Sequence, residues 1–216
     1  MKLYSYFRSS ASYRVRIALN LKGLPFDIIP IHLLKHGGEQ LSPEYRKLNP
    51  DGLVPTLIDD TGAHVLTQSI SIIEYLEETH PKPPLLPADA FDRAYVRSLA
   101  LSLACEIHPL NNLRVLRYLV RQLKIGEDDK NAWYRHWCEQ GLSAFETMLV
   151  QSGKVGTFCF GGTPTLADCV LIPQVANAQR MNCDLSGMPT VLQINEACLA
   201  LDAFAKAAPD NQPDAE

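Results

Sequence analysis

The run Pro81-Lys82-Pro83-Pro84, followed closely by Pro87, divides this chain into two stretches whose apolar residues repeat differently. Proline has no amide hydrogen to donate and holds φ near about −65°, so neither a helix interior nor a central strand passes through such a run. Residues 82–90 therefore read as a stiff linker, and each side is read by itself.

Before the linker, strand and helix signals alternate. Residues 3–7 form a short strand, and residues 12–21 place Val15, Ala18 and Leu19 at helical spacing, with Ile17 and Leu21 widening the stripe. Gly23 and Pro25 end that helix. Residues 26–32 predict an isoleucine-rich second strand, put at an edge by Pro30. A short helix to about Leu48 closes on Asn49-Pro50-Asp51-Gly52. Strands at 56–59 and 64–66 then flank Asp60-Thr61-Gly62, and Ile72, Ile73 and Leu76 mark one face of a last helix. The order strand-helix-strand-helix-strand-strand-helix is that of a thioredoxin-like α/β domain, here residues 1–81. After residue 90 the strand signals vanish. Helical stretches over 91–123, 131–149, 166–181 and 190–207, kinked at Pro109 and Pro173, predict an all-α domain over 91–216. Residues 209–216 are polar and read as a mobile tail.

A hydrophobic content of 46% over 216 residues is ample for a buried core. The formal charge of −4 argues against nucleic acid or an anionic membrane as a partner, so an anionic substrate has to be held by local arginines. Arg8 arrives too early for a signal-peptide core, and no apolar run reaches spanning length; the expectation is a soluble cytoplasmic protein. Six cysteines, Cys105, Cys138, Cys159, Cys169, Cys183 and Cys198, lack metal-binding spacing and read as free thiols, with no metal site.

The loop after the first strand reads Arg8-Ser9-Ser10-Ala11-Ser12. Hydroxyls at a helix start ordinarily cap it, which accounts for about two of these three serines. A redox enzyme of thioredoxin-like fold keeps paired cysteines in this loop; here there are none, which disfavours oxidoreductase chemistry by a protein thiol. Thr165-Leu166-Ala167-Asp168 has capping-box form, so Asp168 is a structural carboxylate and not a catalytic acid.

Together, the run SSASYRVRIALNLKG, Val54-Pro55 before a strand, Gln68-Ser69 opening a helix, and the segments EIHPLNNLRVL and PTLADCVLIPQVANAQR resemble zeta-class glutathione transferases over the whole chain. Within that class the resemblance is to maleylacetoacetate and maleylpyruvate isomerases. It implies a glutathione-dependent cis–trans isomerisation of maleylacetoacetate to fumarylacetoacetate by thiolate addition, bond rotation and elimination. Ser10 would activate the thiol, with Ser9 and Arg8 as further catalytic residues. Ser9, Ser10 and Ala11 would surround the sulfur. Val54 and the cis-proline Pro55 would hold the cysteinyl backbone, Gln68 and Ser69 the γ-glutamyl end, and Gln40 the glycyl carboxylate. His108, Asn112 and Arg114 would line the glutathione site from the helical domain, while Arg8 and Arg180 would clamp the dicarboxylate. Ala11 stands where the family carries cysteine, which removes any redox or adduct-forming role for a protein thiol at that position. The resemblance also implies a homodimer. Alternatives are a maleylpyruvate isomerase of a gentisate pathway, a transferase conjugating small electrophiles such as haloacids, and a binding protein that has lost its chemistry.

Overall fold

A computed structural model describes residues 1–216, which form two compact units: residues 1–85 with 199–216, and residues 86–198. In the first unit the chain runs β1 (Lys2–Ser5), α1 (Ser10–Leu21), β2 (Asp27–Pro30), α2 (Pro43–Leu48), β3 (Thr56–Ile58), β4 (Val65–Thr67) and α3 (Ser69–Thr79). The sheet order is β2-β1-β3-β4, with β1 and β2 parallel and the other pairs antiparallel. β2 lies at an edge, where the missing amide of Pro30 breaks no ladder between strands. Leu3 and Leu57 from the sheet, Val15, Ile17 and Leu19 from α1, and Ile72 and Leu76 from α3 are wholly buried. Each such side chain contributes about 1.5–3 kcal/mol.

The unit boundary lies beyond the first prolines because a lysine holds them. Lys22, at the end of α1, is buried and places Nζ 2.7 Å from Glu77 Oε2, 2.7 Å from the His80 carbonyl and 3.1 Å from the Pro83 carbonyl. The same Glu77 oxygen accepts the Leu85 amide at 3.0 Å. Thus residues 80–85 are fastened to the first unit rather than spanning freely.

The second unit contains α4 (Ala90–Leu101), α5 (Leu113–Arg121), α6 (Glu127–Ser152), α7 (Leu166–Arg180) and α8 (Pro189–Leu199). The stretch expected over 91–123 is broken rather than kinked: α4 runs into a π-helical turn, Ser102–Ile107, and residues 108–112 leave the helix before Asn112 caps α5. Gly141 explains the close approach of α6 to that turn, since a Cβ there would lie 2.4 Å from Ile107 Cδ1. Pro173 sits inside α7, and the capping box at its start is present. Asp168 is wholly buried and accepts from the Cys159 amide, the Thr165 amide and the Thr165 hydroxyl at 2.7–2.8 Å. No helix is long and apolar enough to cross a membrane.

The stretch expected as one helix over 190–207 is two, α8 and α9 (Asp202–Ala207). Residues 199–216, read from sequence as part of the helical domain, return to the first unit, where α9 packs on α1. Asn20 Nδ2 donates to the Ala203 carbonyl at 3.0 Å, and the buried Arg16 Nε to that of Ala207 at 2.9 Å. Nor is 209–216 a free tail: it forms a 3₁₀ turn, and the buried Gln212 amide donates back to the Lys206 and Ala208 carbonyls.

Candidate functional site

Strand register gathers three of the motifs. Tyr4 in β1 pairs with Thr56 in β3, and Thr56 pairs with Thr67 in β4. The exit of β1, the entrance to β3 and the exit of β4 therefore share one end of the sheet. Arg8-Ser9-Ser10, Val54-Pro55 and Gln68-Ser69 follow or precede those strand ends directly. Both α1 and α3 begin there. A helix leaves its first N–H groups without intrahelical acceptors and carries about half a positive charge at that end, so this edge favours anions.

At the start of α1 the serines divide. Ser9 is the N-cap, its Oγ accepting the Ser12 amide at 3.2 Å, while Ser10 is the first helical residue and is buried. Arg8 is exposed, its guanidinium carbon 5.0 Å from the Phe7 ring centre, and Ala11 is half-buried. Arg14 and Arg16, which sequence reasoning passed over, are both buried. Arg14 Nη1 donates to Ser69 Oγ at 3.2 Å, linking the first turn of α3 to α1. Arg16 donates to Ser5 Oγ and to the Tyr6 and Phe7 carbonyls at 3.0–3.4 Å. Burial lowers its pKa to about 10, which leaves it charged at neutral pH. Arginines interrupting the apolar run Val15, Ile17, Ala18, Leu19 were the available signal.

The Val54–Pro55 bond is cis. Just before it, the Leu53 carbonyl accepts from Tyr45 Oη at 2.6 Å and Asn49 Nδ2 at 2.8 Å, and Tyr45 Oη also meets Thr56 Oγ1 at 2.9 Å. Burial pushes the Tyr45 phenol up to about 12, so it stays protonated and able to donate. Gln68 has φ +67°, a conformation that costs a side-chain-bearing residue about 1–3 kcal/mol and recurs where a site demands it. Ser69 beside it is buried.

Gln40 lies on the loop after β2. It is 6% exposed, and its Oε1 has no hydrogen-bond partner within the chain. Gly38 makes room for it: at φ +114°, a Cβ on residue 38 would lie 2.7 Å from Gln40 Nε2. The buried Gln40 oxygen is thus an acceptor open to a bound donor, and the helix-terminal edge favours an anion, both of which fit a bound peptide.

In the second unit, His108 and Asn112 flank the break before α5. Asn112 Oδ1 accepts the Arg114 amide at 3.0 Å, and its Nδ2 lies 3.4 Å from His108 Nε2. Arg114 is exposed on the first turn of α5. Arg180 ends α7, exposed, with Nη2 3.1 Å from Asn177 Oδ1.

Residues 8–79 match the family model for the glutathione S-transferase N-terminal domain, and residues 131–190 that for the glutathione S-transferase C-terminal domain. Over 213 residues the chain is 49% identical to a probable maleylacetoacetate isomerase of Vibrio cholerae serotype O1, spanning 99% of this chain and 97% of the relative. It is similar to the holo structure of maleylpyruvate isomerase, a bacterial glutathione S-transferase in the zeta class, with 50% identity and a TM-score of 0.96 over the whole of both chains. It is also similar to the maleylacetoacetate isomerase of Methylobacterium extorquens AM1 with bound malonate and glutathione, with 40% identity and a TM-score of 0.95, again over the whole of both.

Proposed function

The chain belongs to the zeta class of the glutathione S-transferase family, and from that premise we infer a glutathione-dependent cis–trans isomerase that converts maleylacetoacetate to fumarylacetoacetate. The observation that carries this reading is the meeting of three loops, Arg8–Ser10, Val54–Pro55 and Gln68–Ser69, at the sheet end where two helices begin. Glutathione, when bound, supplies a thiolate that adds to the cis double bond and leaves again, so it is not consumed.

The chain's own residues then have separable tasks. The Ser10 hydroxyl and the start of α1 donate toward the sulfur and favour its anion. The Val54 backbone holds the cysteinyl part, Gln68 and Ser69 the γ-glutamyl end, and Gln40 the glycyl end. Ser9 and Ala11 flank the sulfur, and His108, Asn112 and Arg114 are assigned to glutathione as well. Arg8 and Arg180 take the carboxylates of the second substrate, a reading supported by the Methylobacterium relative, which binds malonate, a dicarboxylate, as well as glutathione. Family membership and the free cysteines, which suit a reducing compartment, support a cytoplasmic homodimer.

A second reading, isomerisation of maleylpyruvate, is favoured by the 50% identity to an enzyme of that name. The deciding experiment follows both acids with and without catalytic glutathione. Isomerisation that needs glutathione and leaves its concentration unchanged is expected, and the ratio of kcat/KM values chooses the acid. A rate independent of glutathione would overturn the reading, and loss of glutathione into an adduct would replace it with conjugation.

A further inference from the structure

The segment 212–216 reaches both loops that the proposed function places around glutathione. Asp214 Oδ2 accepts the Phe7 amide at 3.0 Å, and the Phe7 carbonyl accepts Arg16 Nη2 at 3.0 Å. Phe7 is thereby held on both sides of its Cα, one residue before Arg8. Asp214 also acts electrostatically on Arg16, so the two grips are complementary charges. The turn continues through the Tyr6 carbonyl, which accepts the Ser9 amide at 2.9 Å. On the other loop, Glu216 pairs with Lys35 and faces His32 Nε2 at 3.5 Å. His32 donates its amide to Glu39 Oε2 at 2.6 Å, directly before Gln40. Buried Gln212 anchors the segment that carries both carboxylates.

We propose that Asp214 is a positioning residue for glutathione binding: it fixes the Phe7 amide and, through it, the Arg8-Ser9-Ser10 turn, while Glu216 steadies the loop bearing Gln40. Asp214 touches no reacting atom; it sets where the start of α1 stands. An exposed ion pair contributes little, so the main effect belongs to Asp214 and a small one to Glu216. The inference rests on the assignment of Ser10 and Gln40 to glutathione, and its test separates the two.

Glutathione affinity is measured by calorimetry without the second substrate, and Phe7 amide exchange by NMR, in Asp214→Ala, Asp214→Asn, Ser10→Ala and Gln40→Ala, with Asp202→Ala, an exposed position on α9, as control. Loss of a charge-assisted hydrogen bond predicts about ten-fold weaker glutathione binding for Asp214→Ala, with faster exchange at Phe7. Asp214→Asn, which keeps an acceptor, should fall between it and the parent. Wild-type affinity in Asp214→Ala, with Ser10→Ala or Gln40→Ala weakened, overturns this inference alone. Unchanged affinity in both Ser10→Ala and Gln40→Ala overturns the site reading on which it rests. If Asp214→Ala does not fold, Asp214→Asn decides: weakened binding with faster Phe7 exchange supports the role, and parental values for both overturn it.

Discussion

The Ser9 hydroxyl accepts the Ser12 amide, so deleting it takes a cap from α1, whereas the Ser10 hydroxyl sits one position inside the helix and is not the cap. The two serines should therefore fail differently. Ser9→Ala should lose about 1 kcal/mol of stability in urea titration. Ser10→Ala should keep that stability and lower turnover. A hydroxyl donor favours the thiolate, so its loss raises the bound thiol pKa. Activity should then fall on the acid side and recover as pH rises, one pKa unit corresponding to about 1.36 kcal/mol. Full activity with an unmoved pH–rate profile in Ser10→Ala would remove it from the chemistry. The cysteines give a second contrast. Burial pushes Cys138 up to about 12 and raises Cys159 and Cys198 as well, while Cys105 is exposed on the π-helical turn. Maleimide at neutral pH should label Cys105 first in the native protein, as read by peptide mass spectrometry. Early label on Cys138 would contradict the packing around α6.

Between elements, the strongest single fastening is Lys22 with Glu77, since the pair is buried and shares the His80 and Pro83 carbonyls and the Leu85 amide. Removing one partner strands a buried charge. Glu77→Ala should cost about 3–5 kcal/mol, while Lys22→Met with Glu77→Leu should recover most of it. Denaturant titration of these two variants beside the parent checks this; a Glu77→Ala cost below about 1 kcal/mol would mean that water already reaches the pair. Such fastenings also mark what the sequence left unread. The strand-helix alternation and the edge place of β2 were legible because periodicity and proline act over a few residues. The break at 108–112 was not, because a proline looks the same whether it bends a helix or ends it; here Asn112 decides by capping α5. The site motifs were legible as local runs, whereas their supports were not. Arg14 reaches Ser69 across 55 positions and Arg16 reaches Ala207 across 191, distances at which pattern carries no information. A polar tail read as mobile for the same reason: Gln212 and Asp214 show their partners only once the chain has folded back.

Across the whole molecule, an acidic chain of net charge −4 is expected to bind a dianion, so attraction has to come from exposed guanidinium groups such as Arg8 and Arg180. Salt should screen them, raising the KM for the dicarboxylate as ionic strength rises. An Arg8→Lys enzyme should keep part of that salt response and lose affinity, because a lysine cannot make the two-pronged contact. An unchanged KM across the salt series would detach the substrate from these side chains. The construction of the first unit from residues 1–85 and 199–216 has its own consequence during synthesis. Arg16 leaves the ribosome 191 residues ahead of the carbonyl that accepts its Nε, a wait of about 10–40 s at ordinary translation rates. A chain ending at residue 198 should leave residues 1–85 open to protease, and adding 199–216 back as a separate peptide should protect them. Translation order thus makes the unit that carries β1 and α1, although begun first, the one that is finished last.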